Sequence, residues 1–166
     1  MTLAEKHHDE IQHHLAKYPD KRSAVMPLLY IAQEEYGYLT REAIQEVAAI
    51  LDLEPTQVYS IIGFYTMYYD RPKGKFLVQV CNDLPCALRG ADEFTEKVSE
   101  HLGIEVGETT EDGLFTLENI MCIAACDNAP VMQIDFKYYE ELDEDKLKRI
   151  LDDLRHSTAA AEAFKG

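Results

Sequence analysis

The chain has 166 residues, 46% of them hydrophobic, with 16 basic and 31 acidic side chains and a formal net charge of −15. That length suits one ordinary domain or two small ones sharing a core, and the acidic balance argues against direct binding to nucleic acid or to an anionic lipid surface. No apolar run approaches the roughly 20 residues that span a bilayer, and the start Met-Thr-Leu-Ala-Glu-Lys-His-His lacks the apolar core of a signal peptide, so a cytoplasmic chain with no membrane insertion of its own is expected.

Residues 3–17 read as a first, weakly amphipathic helix after a Thr2 cap, with Leu3, Ile11 and Leu15 as its apolar stripe. Tyr18-Pro19-Asp20 ends it. A second helix starts near Arg22 or Ser23, accommodates Pro27 in its first turn and runs to Tyr36, where Gly37 closes it. Thr40 caps a third, whose Ile44, Val47, Ala48 and Leu51 follow helical spacing, and Pro55 opens a fourth through about Phe64. These four helices predict an N-terminal helical bundle over residues 1–70. The aromatic block Phe64, Tyr65, Tyr68 and Tyr69 that closes it is expected to pack the seam between two halves of the chain, with contact to a partner subunit as the rival reading.

Beyond Arg71-Pro-Lys-Gly74 the pattern changes to strands alternating with helices. Phe76–Val80 reads as a strand ending in Cys81, residues from Ala87 or Leu88 to Leu102 as a helix, Leu114–Ile120 as a second strand and Val131–Asp135 as a third. Lys137–Tyr139 forms an edge segment, and Asp143 caps a last helix with Leu147, Ile150, Leu151 and Leu154 inside. The order βαββα, with Pro130 before the third strand, predicts a thioredoxin-like α/β domain over residues 71–156, followed by a flexible Ala-rich tail over 157–166. Base rates favour a trans bond at Pro130, with cis as the alternative.

The four cysteines of the chain fall into two pairs, Cys81 with Cys86 and Cys122 with Cys126, separated by 35 residues. Each pair directly follows a predicted strand. In a reducing compartment such cysteines serve as metal ligands or redox groups rather than as structural disulfides. Thiol exchange uses a C-x-x-C pair, whereas these spacings are C-x4-C and C-x3-C. A 2Fe-2S cluster asks for two thiolates on each of two irons, which two cysteine pairs in neighbouring loops supply; Cys81 and Cys86 would hold one iron and Cys122 and Cys126 the other. Structural zinc remains open on spacing alone, although zinc sites more often use tighter knuckles. A helix starting at Leu88 would turn its N-terminal amides toward an anionic cluster, and Asp83 and Asp127, if near, would lower its potential.

Other candidates carry less. His7, His8, His13 and His14 sit on a weak surface helix and are expected on its exposed face, and His101 reads as a dipole partner at a helix C-terminus. There is no nucleotide-binding glycine motif and no recognisable catalytic constellation. A redox centre without a substrate site points to an electron carrier.

These residues resemble those of a known family, the 2Fe-2S subunit (24 kDa, or E-type) of NADH:quinone oxidoreductase, respiratory complex I. The resemblance rests on Met26-Pro-Leu-Leu29, Gln33-Glu-Glu35, Gly37-Tyr38, Phe64-Tyr-Thr-Met67, the two cysteine motifs with Leu88-Arg-Gly90, Asp112-Gly-Leu-Phe115 and Ala129-Pro130. It implies one 2Fe-2S cluster on Cys81, Cys86, Cys122 and Cys126, and no NADH or quinone site in this chain. It also implies association with a flavoprotein subunit that binds NADH and FMN, together with other hydrophilic-arm subunits, at the inner membrane through the assembled complex. Similar subunits occur in NAD-dependent formate dehydrogenases and in NAD-reducing or electron-bifurcating hydrogenases. A zinc-stapled interaction module is the alternative of a different class. The chain departs from the family's usual Glu-Cys-Leu-Gly-Ala-Cys at Met121-Cys-Ile-Ala-Ala-Cys126, with Ala124 where glycine is usual.

Overall fold

The computed structural model describes residues 1–163 and separates into two compact units, the first ending at Pro72 and the second beginning at Lys73. In the first unit the predicted opening helix is broken at His7 into α1 (Leu3–Lys6) and α2 (His8–Leu15). The break has a tertiary cause. His7 Nε2 lies 3.1 Å from Glu35 Oε2, and Lys6 pairs with the same carboxylate, so the chain turns where both side chains reach the next helix. His7 is therefore half-buried in a helix contact rather than on the exposed face expected of it.

A 3-10 turn at Lys21–Ala24 leads into α3 (Val25–Tyr36), which Gly37 ends in the left-handed conformation at φ 79°. Next come α4 (Arg41–Leu51) and α5 (Pro55–Phe64). Thr40 Oγ1 accepts the Ala43 amide at 3.1 Å, and the Glu54 amide donates to Gln57 Oε1 at 3.2 Å, satisfying amides at two helix starts. Leu28, Leu29, Val47, Ala48 and Val58 meet Leu3 and Ile11 in one apolar core. Glu46 ties three elements together: it accepts the Leu3 amide at 2.9 Å and the Tyr36 hydroxyl at 2.8 Å. In the aromatic block, Tyr68 is buried within this first unit, donating to the Met26 carbonyl at 3.0 Å, while Phe64 stays 78% exposed.

The second unit is a four-stranded mixed sheet in the order β2-β1-β3-β4. Its strands are β1 (Phe76–Cys81), β2 (Phe115–Ile120), β3 (Met132–Ile134) and β4 (Lys137–Tyr139). β1 runs parallel to β2, with Cys81 opposite Ile120, and antiparallel to β3. As an inner strand it is buried from Leu77 to Cys81, which explains its unbroken apolar run. Between β1 and β2 lie the short α6 (Leu84–Ala87) and the long α7 (Ala91–Leu102); α8 (Glu144–Ala163) follows the sheet. Phe94, Val98 and Leu102 of α7 and Leu147 and Leu151 of α8 share a core with Val78, Val80, Phe115 and Leu117. No helix among the described residues is long and apolar enough to cross a membrane.

Two expectations need correction here. The helix predicted from Leu88 begins instead at Ala91 behind Gly90, which sits at φ 85°, and a separate turn of helix carries Cys86. The flexible tail predicted from Ser157 is helical as far as Ala163, in keeping with the helix propensity of its alanines; the Thr158 hydroxyl bonds the Leu154 carbonyl at 3.0 Å. Residues 164–166 of that expected tail lie outside the described residues. The Ala129-Pro130 bond is cis.

Gly74 lies tight against the β2 backbone: a Cβ there would lie 2.7 Å from the Phe115 carbonyl carbon, and the Gly74 amide donates to Thr116 Oγ1 at 2.6 Å. Gly74→Ala is expected to destabilise the protein by about 1–3 kcal/mol, because rigid backbone cannot yield to the methyl; urea denaturation checks it. Burial, with donation to Glu46, pushes the Tyr36 hydroxyl up to about 12. The raised value means the folded state prefers the protonated phenol, so its stabilisation is whole below about pH 10 and is lost as pH rises through 12. Tyr36→Phe should cost about 1 kcal/mol at neutral pH. The stability gap between wild type and variant should narrow between pH 10 and 12 in denaturation followed by circular dichroism.

Candidate iron-sulfur centre

The parallel pairing of β1 and β2 delivers both cysteine motifs to the same end of the sheet. Cys81 is the last residue of β1, its amide bonded to the Val131 carbonyl at 3.1 Å, and the next amide, of Asn82, bonds the Ile120 carbonyl at 3.1 Å. Two residues past Ile120 comes Cys122. Asp83 then opens α6, with Pro85 in its first turn where a missing N–H costs nothing, and this turn swings Cys86 inward. The loop from Cys122 reverses within three residues and re-enters a 3-10 turn at Cys126–Asn128.

The four side chains form two unlike pairs. Cys81 and Cys86 are 2% and 1% exposed, within an apolar patch that includes Ala91, Ile123, Ala129 and Val131. Cys122 and Cys126 are exposed, their sulfurs 3.4 Å apart. All four are free thiols. Burial, and then the Cys81 side chain hydrogen-bonded beside it, push the Cys86 thiol up to about 11, while the Val131 backbone pulls the other way. Cys126 is raised chiefly by its hydrogen bond with Cys122 and further by burial and by the charges of Cys122, Cys81 and Asp83. Cys126 also raises Cys86 and Cys81 also raises Cys126, so the two pairs lie within electrostatic reach of each other.

The donor set fits a two-iron centre. Two thiolates on one tetrahedral metal at about 2.3 Å stand roughly 3.7 Å apart, close to the observed Cys122 to Cys126 separation. The thiols come in pairs, as two irons bridged by sulfide require. One backbone amide faces a sulfur directly: Ala124 N–H donates to Cys122 Sγ at 3.4 Å.

Of the residues singled out from sequence, all four cysteines are brought together, and Asp83 lies close enough to act on Cys126. The helix expected from Leu88 starts instead at Ala91, a residue that packs in the same buried patch as Cys81 and Cys86. His101 pairs with Asp152 of α8, 3.8 Å away. Sequence reasoning passed over the apolar floor of Ile123, Ala129 and Val131 and the staple that holds the second loop, in which Asn128 Nδ2 donates to Glu140 Oε2 at 3.0 Å and the Glu141 amide to the Asn128 carbonyl at 2.8 Å. The isoleucine between the second cysteine pair was the available signal for that floor.

A mixed sheet carrying two pairs of thiols on neighbouring loops at one end is the architecture of an iron-sulfur protein of the ferredoxin type. The chain belongs to the thioredoxin-like [2Fe-2S] ferredoxin family, whose model matches residues 11–155. It is 43% identical over 155 residues to the second E-type subunit of the NADH-quinone oxidoreductase of Rhizobium meliloti, covering 93% of this chain and 90% of that protein. It is 40% identical over 147 residues to the E-type subunit of the NADH-quinone oxidoreductase of Mycobacterium tuberculosis, covering 89% of this chain and 58% of that one. Among solved structures, an NAD+-reducing [NiFe]-hydrogenase in the air-oxidized state shares the fold at a TM-score of 0.68 with 17% identity, over 78% of this chain and 23% of that chain.

In the metal-free chain the burial difference predicts unequal reactivity. Cys122 and Cys126 should be alkylated by iodoacetamide well before Cys86, which combines burial with a raised thiol and should react at least about tenfold more slowly; a time course read by mass spectrometry checks the order.

Proposed function

We propose that this chain is the electron-transfer subunit of an NADH:quinone oxidoreductase, holding one 2Fe-2S cluster on Cys81 and Cys86 at one iron and Cys122 and Cys126 at the other, and exchanging electrons with a flavoprotein subunit that binds NADH and FMN. The observation that carries this reading is the meeting of four free thiols as two pairs at one end of the sheet, one pair buried and one at the surface. The relatives named above support the choice of assembly. The bound cluster supplies one-electron redox chemistry.

The chain's own residues do the rest. Cys81 and Cys86 fix the centre against the apolar floor, keeping water from one side. Cys122 and Cys126 leave the other side open, and the side chains of Leu84, Leu88 and Met121, 67%, 77% and 74% exposed, give the flanking loops an apolar rim of the kind that protein partners cover. The net charge of −15 adds a long-range pull toward a basic partner surface. The other hydrophilic-arm subunits of such a complex are the further partners.

Protein isolated anaerobically should carry about two irons and two acid-labile sulfides per chain and give an electron paramagnetic resonance signal on reduction. Zinc in place of iron would overturn the proposal. Changing any one of the four cysteines to Ser should lose or weaken the cluster, while helix content in the first unit, which has its own core, stays largely intact by circular dichroism. Co-purification with a flavoprotein and quinone-reducing membrane subunits supports this assembly; a nickel or molybdenum subunit in their place points to a hydrogenase or formate dehydrogenase.

A further inference from the structure

The two cysteine pairs differ in what can reach them. Cys122 and Cys126 lie at the surface as free thiols, with their sulfurs 3.4 Å apart. A disulfide has an S–S length of about 2.05 Å, so closing the bond asks these sulfurs to approach by about 1.4 Å, a movement that rotation of two exposed side chains can supply. The backbone already makes the return. Cys126 opens a 3-10 turn, and Asn128 at the end of that turn is held by the Glu140 side chain and the Glu141 amide, which keeps Cys126 opposite Cys122.

Cys81 and Cys86 are placed otherwise. They are 2% and 1% exposed in one patch with Ile123, Ala129 and Val131, so an oxidant as bulky as a peptide disulfide cannot meet either sulfur unless that patch opens. The C-x3-C spacing lacks the two-residue gap of thiol-exchange motifs. Separation and access decide whether two thiols can pair, however, and here the structure supplies both to one pair and access to only that pair.

We propose that in the metal-free chain Cys122 and Cys126 are a reversible redox pair, closing to a disulfide that must be reduced before the chain accepts a cluster. The oxidant is a low-molecular-weight disulfide of the glutathione class. The thiolate of one cysteine attacks a sulfur of that disulfide, so that a mixed disulfide forms and one glutathione thiolate leaves. The sulfur of the other cysteine then attacks the protein sulfur of the mixed disulfide. The Cys122–Cys126 bond forms, the bond to glutathione breaks, and the second glutathione departs. Two electrons pass to the oxidant, and the two cysteine protons end on the two released thiols. A reducing dithiol reverses both steps. The consequence for loading rests on the reading of Cys122 and Cys126 as cluster ligands, since two sulfurs bonded to each other cannot bind iron as thiolates.

The test uses the full chain, metal-free and fully reduced, incubated anaerobically with oxidised glutathione. Free thiols counted with Ellman's reagent after denaturation should fall from four to two, and peptide mapping by mass spectrometry should find the bond at Cys122–Cys126 alone. In concentrated urea, where burial no longer shields the first pair, a Cys81–Cys86 bond should appear as well. C122S should instead retain a glutathione on Cys126, because no second thiol stands by to displace it. Cluster transfer from a loaded scaffold protein, without added thiol, should fail with the oxidised chain and succeed after dithiothreitol treatment. An undiminished thiol count, a Cys81–Cys86 bond without urea, a bond between the pairs or between two copies, or a stable glutathione adduct on the wild-type chain overturns the redox pair. A Cys122–Cys126 disulfide in a chain that still loads fully overturns the ligand reading instead, as does a reduced chain that takes up no cluster.

Discussion

The parallel pairing of β1 with β2 is the constraint on which the centre depends. A parallel neighbour requires the chain to leave one strand, cross back and enter the next at the same end, and here the crossover consists of α6, α7 and the turn before β2. Because both strands run the same way in the register Cys81 to Ile120, their C-terminal ends coincide. The residues that follow them, 35 apart between the two motifs, therefore become neighbours without any direct interaction between the loops having to bring them there. β3 completes the arrangement from the other side of β1, its approach through Val131 giving the Cys81 amide a backbone acceptor.

How much of this was legible in sequence depends on how local the signals were. α4 and α5 could be read almost to the residue because Thr40, Pro55 and the apolar spacing of Ala43, Ile44, Val47, Ala48 and Leu51 act within one or two turns. The break at His7 could not, since its cause is Glu35 on another helix. The start of α7 was misplaced for a different reason. Asp83-Leu-Pro carries a helix-start signal of its own, and Gly90 interrupts what periodicity alone reads as one helix. At the site, residue type and spacing disclosed the four cysteines and their pairing, but not that one pair is buried and the other exposed. That difference comes from Ile123, Ala129 and Val131 closing over the first motif, a tertiary effect. The left-handed turn at Ala124 had no conformational signal in its own residue type, for alanine is not a residue that announces positive φ.

The unequal burial follows from the electrostatics of an anionic centre. Fully burying several thiolates carries a large desolvation cost unless positive charge or donors compensate, and in a chain of net charge −15 the long-range field does not help. The raised Cys86 thiol records that cost in the metal-free state, where burial keeps the proton on. On the ligand set proposed above, metal binding would replace that proton with a cation. The exposed pair meets the same problem differently: solvent screens Cys122 and Cys126, and Cys126 is raised chiefly by its hydrogen bond with Cys122. A cluster on this ligand set would rest against the apolar floor on one side and be screened by solvent on the other.

That division of labour also suits a backbone amide, that of Ala124, as a group facing a sulfur. A lysine or arginine at the open face would have to hold its long side chain in one geometry and would be screened by the same water that relieves the thiolates. An amide is fixed by the fold. The Ala124 amide is held by Ile123 below it and by the short return to Cys126, so the donor is oriented before any charge arrives at the sulfur. Orientation in advance means that little of the protein has to rearrange when an electron arrives, which is the property an electron carrier needs most. The cost is a left-handed backbone at a residue with no side-chain compensation, tolerated because the two anchors on either side of Ala124 leave the loop no other way to close.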